Sequence, residues 1–352
     1  MNMTRRSLLK ALSIAVPSGT LANVVLDSFV SRAGWAQDKR ILTVNTVANA
    51  LGIHIPGIAA IFEVLPSMPG YGVPQLNRIE HHRTMVQTLM AGAADFANPD
   101  PLTVFRSVES GSDLKIIGFP AVGTSLVFVV NADVIKDFPD LAKPDIVVAV
   151  NSKADATHVL LVGPLLKRGV DLKKVTIVEI GGSAGRMRAL LSKRVHAVPM
   201  HFDQAAEVTR QGNFKVLLDP AKEYRVWPHE VWAVSGAWLK KPENQRASVD
   251  FMKAMITAHR RANTDFAWYA NMYRKYSTLP KAAEATDEQI RPFWQALAHE
   301  IKAWPPNNNF SIEPFRELMP TFMAAEAIKG TVKLEQVIDT SYVEQALKEL
   351  RG

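Results

Sequence analysis

Two stretches of similar pattern decide the fold of this chain, Met85–Ala97 (MVQTLMAGAADFA) and Met187–Ala197 (MRALLSKRVHA). Each starts with residues that form a helix, passes through a tight turn and ends in a short apolar run typical of a buried strand. A helix that leads directly into a buried strand is a building unit of α/β proteins. Because the two units lie about a hundred residues apart, they predict two α/β lobes.

Short β-branched runs alternate with helical segments from Ile41 onward, which is typical of parallel α/β sheets. A helix is predicted over Ala154–Lys167, where apolar residues form one broad face and Gly169 provides a stop. Strands are predicted at Ile41–Thr46, Ala94–Ala97, Leu114–Phe119, Leu126–Val130, Ile146–Val150, Val175–Ile180, Ala197–His201 and Lys215–Leu218.

After Pro242 the pattern changes to long amphipathic segments without strand-like runs. These segments cover residues 244–276, 287–303 and 312–327. Each has one apolar stripe to bury, so we expect a helical C-terminal tail that packs back onto an existing lobe.

The first 36 residues are typical of an export signal. Thr4–Lys10 (TRRSLLK) resembles the twin-arginine motif, a moderately apolar stretch follows, and small residues precede a predicted cleavage after Ala36. The alternative is a membrane anchor, but Pro17 and Asp27 interrupt the apolar run before it reaches the roughly 20 residues that a spanning helix needs. The sequence therefore predicts twin-arginine export to the periplasm.

Composition excludes several classes of protein. The chain has no cysteine, which excludes disulfides, thiolate metal sites, a cysteine nucleophile and a lipid-modified N-terminal cysteine. The formal net charge is +7, and because the first 36 residues supply three of these charges, the remainder carries only +4. Acidic and basic residues are interspersed, so a nucleic-acid partner is not indicated.

Several polar loops follow in a characteristic order, and together with the two α/β units they carry a family resemblance. The loops are Thr46–Asn49, Asn98–Asp100, Gly123–Ser125, Asn151–Lys153, Gly181–Ser183 and Asp339–Tyr342. In this order the mature chain resembles the substrate-binding proteins of ABC importers in the thiamine-pyrimidine, sulfonate and nitrate branch. Lys193 and His196 depart from the usual Gly and Asp of the second unit, which predicts an altered turn there.

The resemblance implies an α/β fold of the periplasmic binding protein type II class, with two lobes joined by a two-strand hinge and a helical tail. Residues 1–36 would be the signal peptide, 37–125 the first part of lobe 1, 126–230 lobe 2, and 231–352 the return to lobe 1 with the C-terminal helices. The strands near Leu126–Val130 and Val231–Ser235 would cross between the lobes. Ligand contacts with both lobes would then favour a closed form.

The function implied by the resemblance is capture of a small organic or anionic ligand and its delivery to an ABC permease in the inner membrane. The protein would be a monomer without cofactor, metal or enzymatic activity. Related eukaryotic pyrimidine synthases share the fold but carry a cysteine-rich motif, which this chain lacks. Ligand identity stays open among thiamine-like pyrimidines, sulfonates, nitrate, aromatic carboxylates and riboflavin-like compounds.

The ligand site is expected in the polar loops, because ligands bind outside the carboxyl ends of parallel strands, where helix N-termini offer unpaired N–H groups. Each residue taken singly also fits an ordinary helix cap or turn, and Trp227 also fits hinge packing. The predicted ligand-binding residues are Thr46, Asn49, Asn98, Asp100, Thr124, Ser125, Asn151, Ser152, Thr157, Gly182, Ser183, Phe202 and Trp227.

Three alternatives remain from the sequence. Gly181–Gly185 (GGSAG) fits a hydrolase nucleophile elbow at Ser183, with a later aspartate (Asp203 or Asp219) and histidine (His229 or His259), although no oxyanion motif precedes it. The pair His81-His82 raises a metal site, although adjacent histidines rarely share one metal. The same fold could also serve a sensor or another class of transporter.

Overall fold

The computed structural model describes residues 39–153, 155–223, 227–228 and 230–351. The predicted export signal and its cleavage site after Ala36, together with Ala154 and His229, lie outside the described residues. Among the described residues, none of the helices combines the length and the apolar character needed to cross a lipid bilayer.

The first sheet has the strand order β2-β1-β3-β10-β4. β1 pairs in parallel with β2 and β3, whereas β10 is antiparallel to β3 and β4. We call this sheet with its helices lobe 1. Its strands are β1 (Thr43–Val47), β2 (Gln75–Ile79), β3 (Phe96–Ala97), β4 (Leu114–Gly118) and β10 (Trp232–Ser235).

The second sheet has the order β7-β6-β8-β5-β9 and repeats this arrangement. β6 pairs in parallel with β7 and β8, and β5 is antiparallel to β8 and β9. We call this sheet with its helices lobe 2. Its strands are β5 (Leu126–Asn131), β6 (Val147–Val150), β7 (Thr176–Glu179), β8 (Ala197–His201) and β9 (Phe214–Leu218).

Helices cover the sheets and form the C-terminal tail, which begins at Pro242. Two helices continue into a π-helical turn: Ile55–Ala59 into Ala60–Val64, and Asp287–Gln295 into Ala296–Glu300. The helices are α1 (Ile55–Ala59), α2 (His82–Met90), α3 (Pro101–Glu109), α4 (Ala156–Lys167), α5 (Ser183–Leu191), α6 (Phe202–Gln211), α7 (Gly236–Leu239), α8 (Pro242–Thr264), α9 (Phe266–Tyr276), α10 (Asp287–Gln295), α11 (Glu313–Ala324), α12 (Leu334–Val337) and α13 (Ser341–Glu349).

The predicted strands are confirmed to within one or two residues at most ends, but the sequence reading missed β2. The segment Gln75–Ile79 is polar and partly exposed because β2 lies at the edge of its sheet, so it lacks the apolar run by which the other strands were found. The long tail segment of residues 244–276 is two helices, because the Asp265 side chain accepts a hydrogen bond from the Trp268 amide and starts a new helix.

The crossing between lobes differs from the prediction. β5 pairs within the second sheet and β10 within the first, so neither strand runs from one sheet into the other. The connections are instead made by residues 119–125, which precede β5, and by the chain between β9 and β10. The strands were predicted as crossings because they border the connections in sequence, whereas their pairing is a tertiary property.

The altered turn predicted for the second unit is not observed. Gly92 and Lys193 both adopt left-handed backbone, with φ of 69° and 57°. The same helix-ending hydrogen bonds follow, from Gly92 N to Leu89 O at 3.1 Å and from Lys193 N to Leu190 O at 2.9 Å. Lysine therefore accepts a conformation that glycine adopts more readily, and the two turns are equivalent.

Candidate functional site

The carboxyl ends of β1, β6 and β7 meet across a cavity of about 60 Å³ between the lobes. The cavity lies where the sequence predicted a ligand site, beyond the strand ends and at the start of helices. Six of the predicted residues line it: Asn49, Asn151, Thr157, Gly182, Ser183 and Trp227.

The lobes touch directly around this cavity. Asn49 Nδ2 of lobe 1 donates to Ser183 Oγ of lobe 2 at 3.4 Å, and Asn151 Nδ2 of lobe 2 donates to the carbonyl oxygen of Glu80 in lobe 1 at 3.2 Å. At the start of α6, Asp203 Oδ2 accepts a hydrogen bond from the Gly52 amide of lobe 1 at 3.2 Å. This arrangement corresponds to closed lobes.

The N-terminus of α5 opens onto the cavity without a side-chain cap. Its N-cap residue is Gly182, which provides no capping side chain, so the first amides of the helix are left to a partner in the cavity. Such a helix start favours a carbonyl oxygen or an anion. Ser183 adds a hydroxyl at the same place.

Arg186 brings a buried cation to the same helix face. It lies one turn after Ser183, it is 3% exposed, and it lines the cavity. Its Nε donates to Pro199 O at 2.9 Å, and its Nη1 donates to the carbonyl oxygens of Ile180, at 3.4 Å, and Gly181. Burial lowers the pKa of Arg186 to about 10, and Asp155 partly offsets the shift. The group stays protonated at neutral pH and can neutralise an anion.

Two buried carboxylates, one from each lobe, cap their own helices. Asp100 accepts from the amide and hydroxyl of Thr103, and Asp155 accepts from the Thr157 hydroxyl at 2.6 Å. Burial raises the pKa of Asp155, and the nearby negative charge of Asp100 adds to this shift, while His82 opposes it. These carboxylates are structural caps, and neither is among the residues that line the cavity.

A polar network joins the lobes at the floor of the cavity. Glu230 Oε2 accepts from Asn98 Nδ2 at 2.5 Å, and Glu230 Oε1 lies 3.4 Å from His54 Nε2. The His54 ring contacts the His201 ring edge to face, with centroids 5.2 Å apart. His201 Nδ1 and Ser125 Oγ share a hydrogen bond of 2.5 Å.

The other predicted residues lie elsewhere. Thr124, Ser125 and Phe202 line a larger groove of about 910 Å³ between the connecting segments and the tail, which Trp227 also lines. Thr46 and Asn98 line a small chamber inside lobe 1. In addition to Asp100, Ser152 has a local role, since its amide donates to Asp155 Oδ2 at 3.1 Å.

Neither the nucleophile nor the metal alternative gains support. Ser183 Oγ is hydrogen-bonded to Asn49, and His259 is buried in the tail, where its Nε2 lies 2.9 Å from Pro120 O. His82 Nδ1 accepts from the Asp100 amide at 3.1 Å, and the His81 ring packs against Gly181. Within the described part of the chain, no group of three or more histidine, aspartate or glutamate side chains could hold a metal ion.

Sequence reasoning missed six charged or titratable residues that line the cavity: His54, Glu80, His82, Arg186, His201 and Glu230. A signal existed for Arg186, because helical spacing places residue 186 on the same face as residue 183. For His201 the signal was its position as the last residue of β8, because ligands bind at the carboxyl ends of strands in α/β sheets. His54, in contrast, reaches the cavity through a turn whose path is not visible in the sequence.

Comparison with solved structures shows the same fold. The nitrate-binding protein NrtA of Synechocystis matches with a TM-score of 0.72 and 11% identity, covering 89% of both chains. The ligand-binding component of an ABC import system from Staphylococcus aureus, solved with zinc, matches with a TM-score of 0.70 and 12% identity over 88% of this chain and 99% of the other. The alkanesulfonate-binding protein SsuA of Xanthomonas axonopodis, bound to MOPS, matches with a TM-score of 0.67 and 14% identity over 87% and 100%.

These matches confirm the prediction of a two-lobed periplasmic binding protein fold. No curated protein matches the chain significantly in sequence. The NMT1/THI5-like family model matches residues 75–263, more than half of the chain. The chain therefore belongs to the NMT1/THI5-like family.

Proposed function

We propose that this protein is the solute-binding component of an ABC importer, which captures a small molecule between its lobes and releases it chemically unchanged to a membrane permease. One observation carries the proposal: an uncapped helix start and the buried guanidinium of Arg186 line the same cavity between two α/β lobes. Solved proteins of the same fold are named as nitrate- and alkanesulfonate-binding proteins.

Binding requires the lobes to separate. The cavity of about 60 Å³ is far smaller than the roughly 300–1,000 Å³ of a usual ligand pocket. The direct interlobe hydrogen bonds of Asn49 and Asn151 must open for a ligand to enter. A ligand that contacts both lobes then replaces them and favours closure.

The test is a thermal-shift screen of the purified protein against sulfonates, nitrate, thiamine-like pyrimidines, aromatic carboxylates and riboflavin-like compounds. A ligand that binds only the folded protein raises its melting temperature. The Gly182→Leu variant should lose this shift, because Gly182 has ordinary extended backbone and a side chain there would fill the cavity toward Asn49.

Gly185→Ala is the matched control on the same helix, where a Cβ would make only an ordinary contact with Ile180. This variant should keep the shift. Mass spectrometry should recover the bound compound unmodified, and a fluorophosphonate probe should leave Ser183 unlabelled. Turnover of a compound that depends on Ser183 would contradict the proposal.

We also propose that the protein acts in the periplasm after twin-arginine export. Arg5 and Arg6 support this assignment. Replacing both by lysine should keep the precursor in the cytoplasm, and the N-terminus of the exported protein should be Gln37. Export of the double-lysine variant at the normal level would contradict the pathway.

A further inference from the structure

The start of α6 is a place where lobe 2 meets lobe 1 beside the interlobe cavity. Two consecutive side chains make this contact. The Phe202 ring stacks on Phe293 of the tail, with centroids 5.9 Å apart, and Asp203 Oδ2 accepts a hydrogen bond from the Gly52 amide of lobe 1 at 3.2 Å. Asp203 is only 5% exposed, so its carboxylate is enclosed where the two lobes touch. We call this contact the Asp203 junction.

The hydrogen-bond donors of the Asp203 junction are uncharged. Besides the Gly52 amide, the amide of Gln204 donates to Asp203 Oδ1 at 3.0 Å. Backbone amides compensate only part of the cost of moving a carboxylate out of water. Burial accordingly raises the pKa of Asp203, whereas the two amides and the nearby His54 side chain oppose the shift.

The glycine at position 52 allows the lobes to approach this closely. A Cβ there would lie 3.0 Å from Tyr269 Oη, 3.1 Å from Leu297 Cδ1 and 3.7 Å from Asp203 Oδ2. The Gly52 backbone is also held from the tail, because Tyr269 Oη donates to its carbonyl oxygen at 3.0 Å. The lobe 1 side of the junction is therefore a fixed surface, and the carboxylate is brought onto it when the lobes close.

The other titratable or charged groups near the junction come from both lobes and the tail. They are His54 in lobe 1, His201 at the end of β8, Tyr269 and Tyr273 on α9, and Glu207 with Arg210 on α6 itself. Burial raises the pKa of both tyrosines, so they stay neutral while a carboxylate titrates. The Glu207 side chain is 46% exposed, so closure changes its surroundings little. Asp203 is thus the acid that closure takes out of water at this junction.

Opening the lobes reverses the burial. Gly52 and Asp203 lie on opposite lobes, so separation breaks their hydrogen bond and returns the carboxylate to water, where its pKa takes its ordinary value of 3.8. The closed form therefore holds a proton at pH values where the open form has released it. The closed form is then favoured fully below about pH 4, and this advantage is lost as the pH rises through the raised pKa of the closed form.

We propose that closure of the lobes takes up a proton at Asp203, so that acid shifts the protein towards its closed form. The proposal rests on the solute-binding function, because it concerns the same opening and closing, and it adds a control by pH. Since capture of a ligand between the lobes requires closure, ligand affinity should rise as the pH falls. With one proton involved, the ratio of closed to open molecules changes by at most about tenfold per pH unit.

The test uses the protein without a ligand. Dyes at Met90→Cys in lobe 1 and Val216→Cys in lobe 2, two exposed positions, report the ratio of closed to open molecules in single-molecule distance measurements. In wild type this ratio should fall severalfold between about pH 4.5 and about pH 7.5. Asp203→Asn has no titratable group at the junction and should remove the fall. Asp203→Ser is a second uncharged variant, which answers the same question if the amide side chain disturbs folding.

Glu207→Gln is the matched control, because it removes an exposed carboxylate from the same helix and should follow wild type. A wild-type ratio that does not change with pH, or a fall of wild-type size in the uncharged Asp203 variants, would overturn the proton linkage and leave the solute-binding function intact. A screen without any ligand would count against the function, whereas the pH profile of the empty protein would still decide on Asp203.

Discussion

Arg186 combines a structural and a binding role in one side chain. Two of its guanidinium nitrogens donate to the carbonyl oxygens of residues 180 and 181, which follow β7, and of residue 199, which lies within β8. Because the guanidinium is nearly fully buried, its charge acts on the cavity with little screening by water. The fixed hydrogen bonds hold this charge in place before a ligand arrives.

We predict that Arg186→Met destabilises the protein by about 2–4 kcal/mol, because buried carbonyl oxygens lose their donors. The variant should also lose ligand binding, because the cavity loses its buried positive charge. The free energy of unfolding is measured by urea denaturation. Arg188→Met is the control, since Arg188 is an exposed arginine on the same helix and should change stability by about 0.5 kcal/mol or less. A similar loss in both variants would contradict this role of Arg186.

His196 and Asp95 have the same task in the two lobes. Asp95 Oδ2 accepts from the Thr43 amide at 2.8 Å, and His196 Nδ1 accepts from the Val147 amide at 3.1 Å. In each case the side chain accepts a hydrogen bond from the backbone amide of the first residue of a neighbouring strand. The histidine is thus a structural substitute for the aspartate, made possible by its ring nitrogen acceptor.

We predict that Lys193→Gly stabilises the protein by about 0.5–1 kcal/mol, because glycine adopts the left-handed backbone of this turn without strain. Lys193→Ala is the matched control, since it also loses the surface ion pair with Asp133 but keeps the strain. Thermal or urea denaturation of the three proteins gives the comparison. Equal stability of the glycine and alanine variants would show that the turn is not strained.

At the scale of elements, α8 anchors the tail to the connection between lobes. His259 is fully buried on this helix, and its Nε2 lies 2.9 Å from the carbonyl oxygen of Pro120, which belongs to the first connecting segment. Burial lowers the pKa of His259 to about 4. The folded protein therefore favours the neutral ring of His259, because a protonated ring would place a charge in an apolar environment.

This shift predicts a loss of stability in acid. The unfolded state binds the proton below its ordinary pKa of about 6.5, while the folded state resists it until about pH 4, so stability is complete above about pH 6.5 and falls by about 3 kcal/mol as pH approaches 4. His259→Gln keeps a donor for Pro120 and should lose clearly less stability over this range. The free energy of unfolding is compared at about pH 7 and about pH 4.5.

His299→Gln is the control, because His299 is an exposed histidine. This variant should follow wild type across the pH range. Identical acid sensitivity in His259→Gln and wild type would assign the loss to other groups.

At the scale of the whole molecule, polar contacts reach across the cavity from one lobe to the other. Asn49 and Asn151 reach across the cavity from opposite lobes, each with one hydrogen bond. A hydrogen bond of this kind contributes about 1 kcal/mol. Breaking one of these contacts should therefore shift the balance between open and closed forms severalfold.

We predict that Asn49→Ala and Asn151→Ala each lower the ratio of closed to open molecules about fivefold. Because the chain has no cysteine, dyes can be attached at Met90→Cys in lobe 1 and Val216→Cys in lobe 2, two exposed positions, for single-molecule distance measurements. The control is Asn213→Ala, which removes a hydrogen bond to Asp133 within lobe 2. A distance distribution unaffected by the first two changes would show that other contacts hold the lobes together.

The sequence by itself determined the α/β class, the two units, most strands and the helical tail. These follow from short-range patterns, since apolar periodicity and turn residues act over a few positions along the chain. It also located six cavity residues, including Ser183 and Asn151, because strand ends and helix starts are local features.

Only the tertiary structure decided which of these loops meet. The placement of Phe202 in the larger groove, of Asn98 in the small chamber inside lobe 1 and of Arg186 in the cavity depends on strand order and on how the lobes close. Strand order joins residues that are far apart in the chain, and local patterns carry no information about such pairs. The edge strand β2 shows the same limit, because the neighbouring strand, and not its own apolar character, makes it a strand.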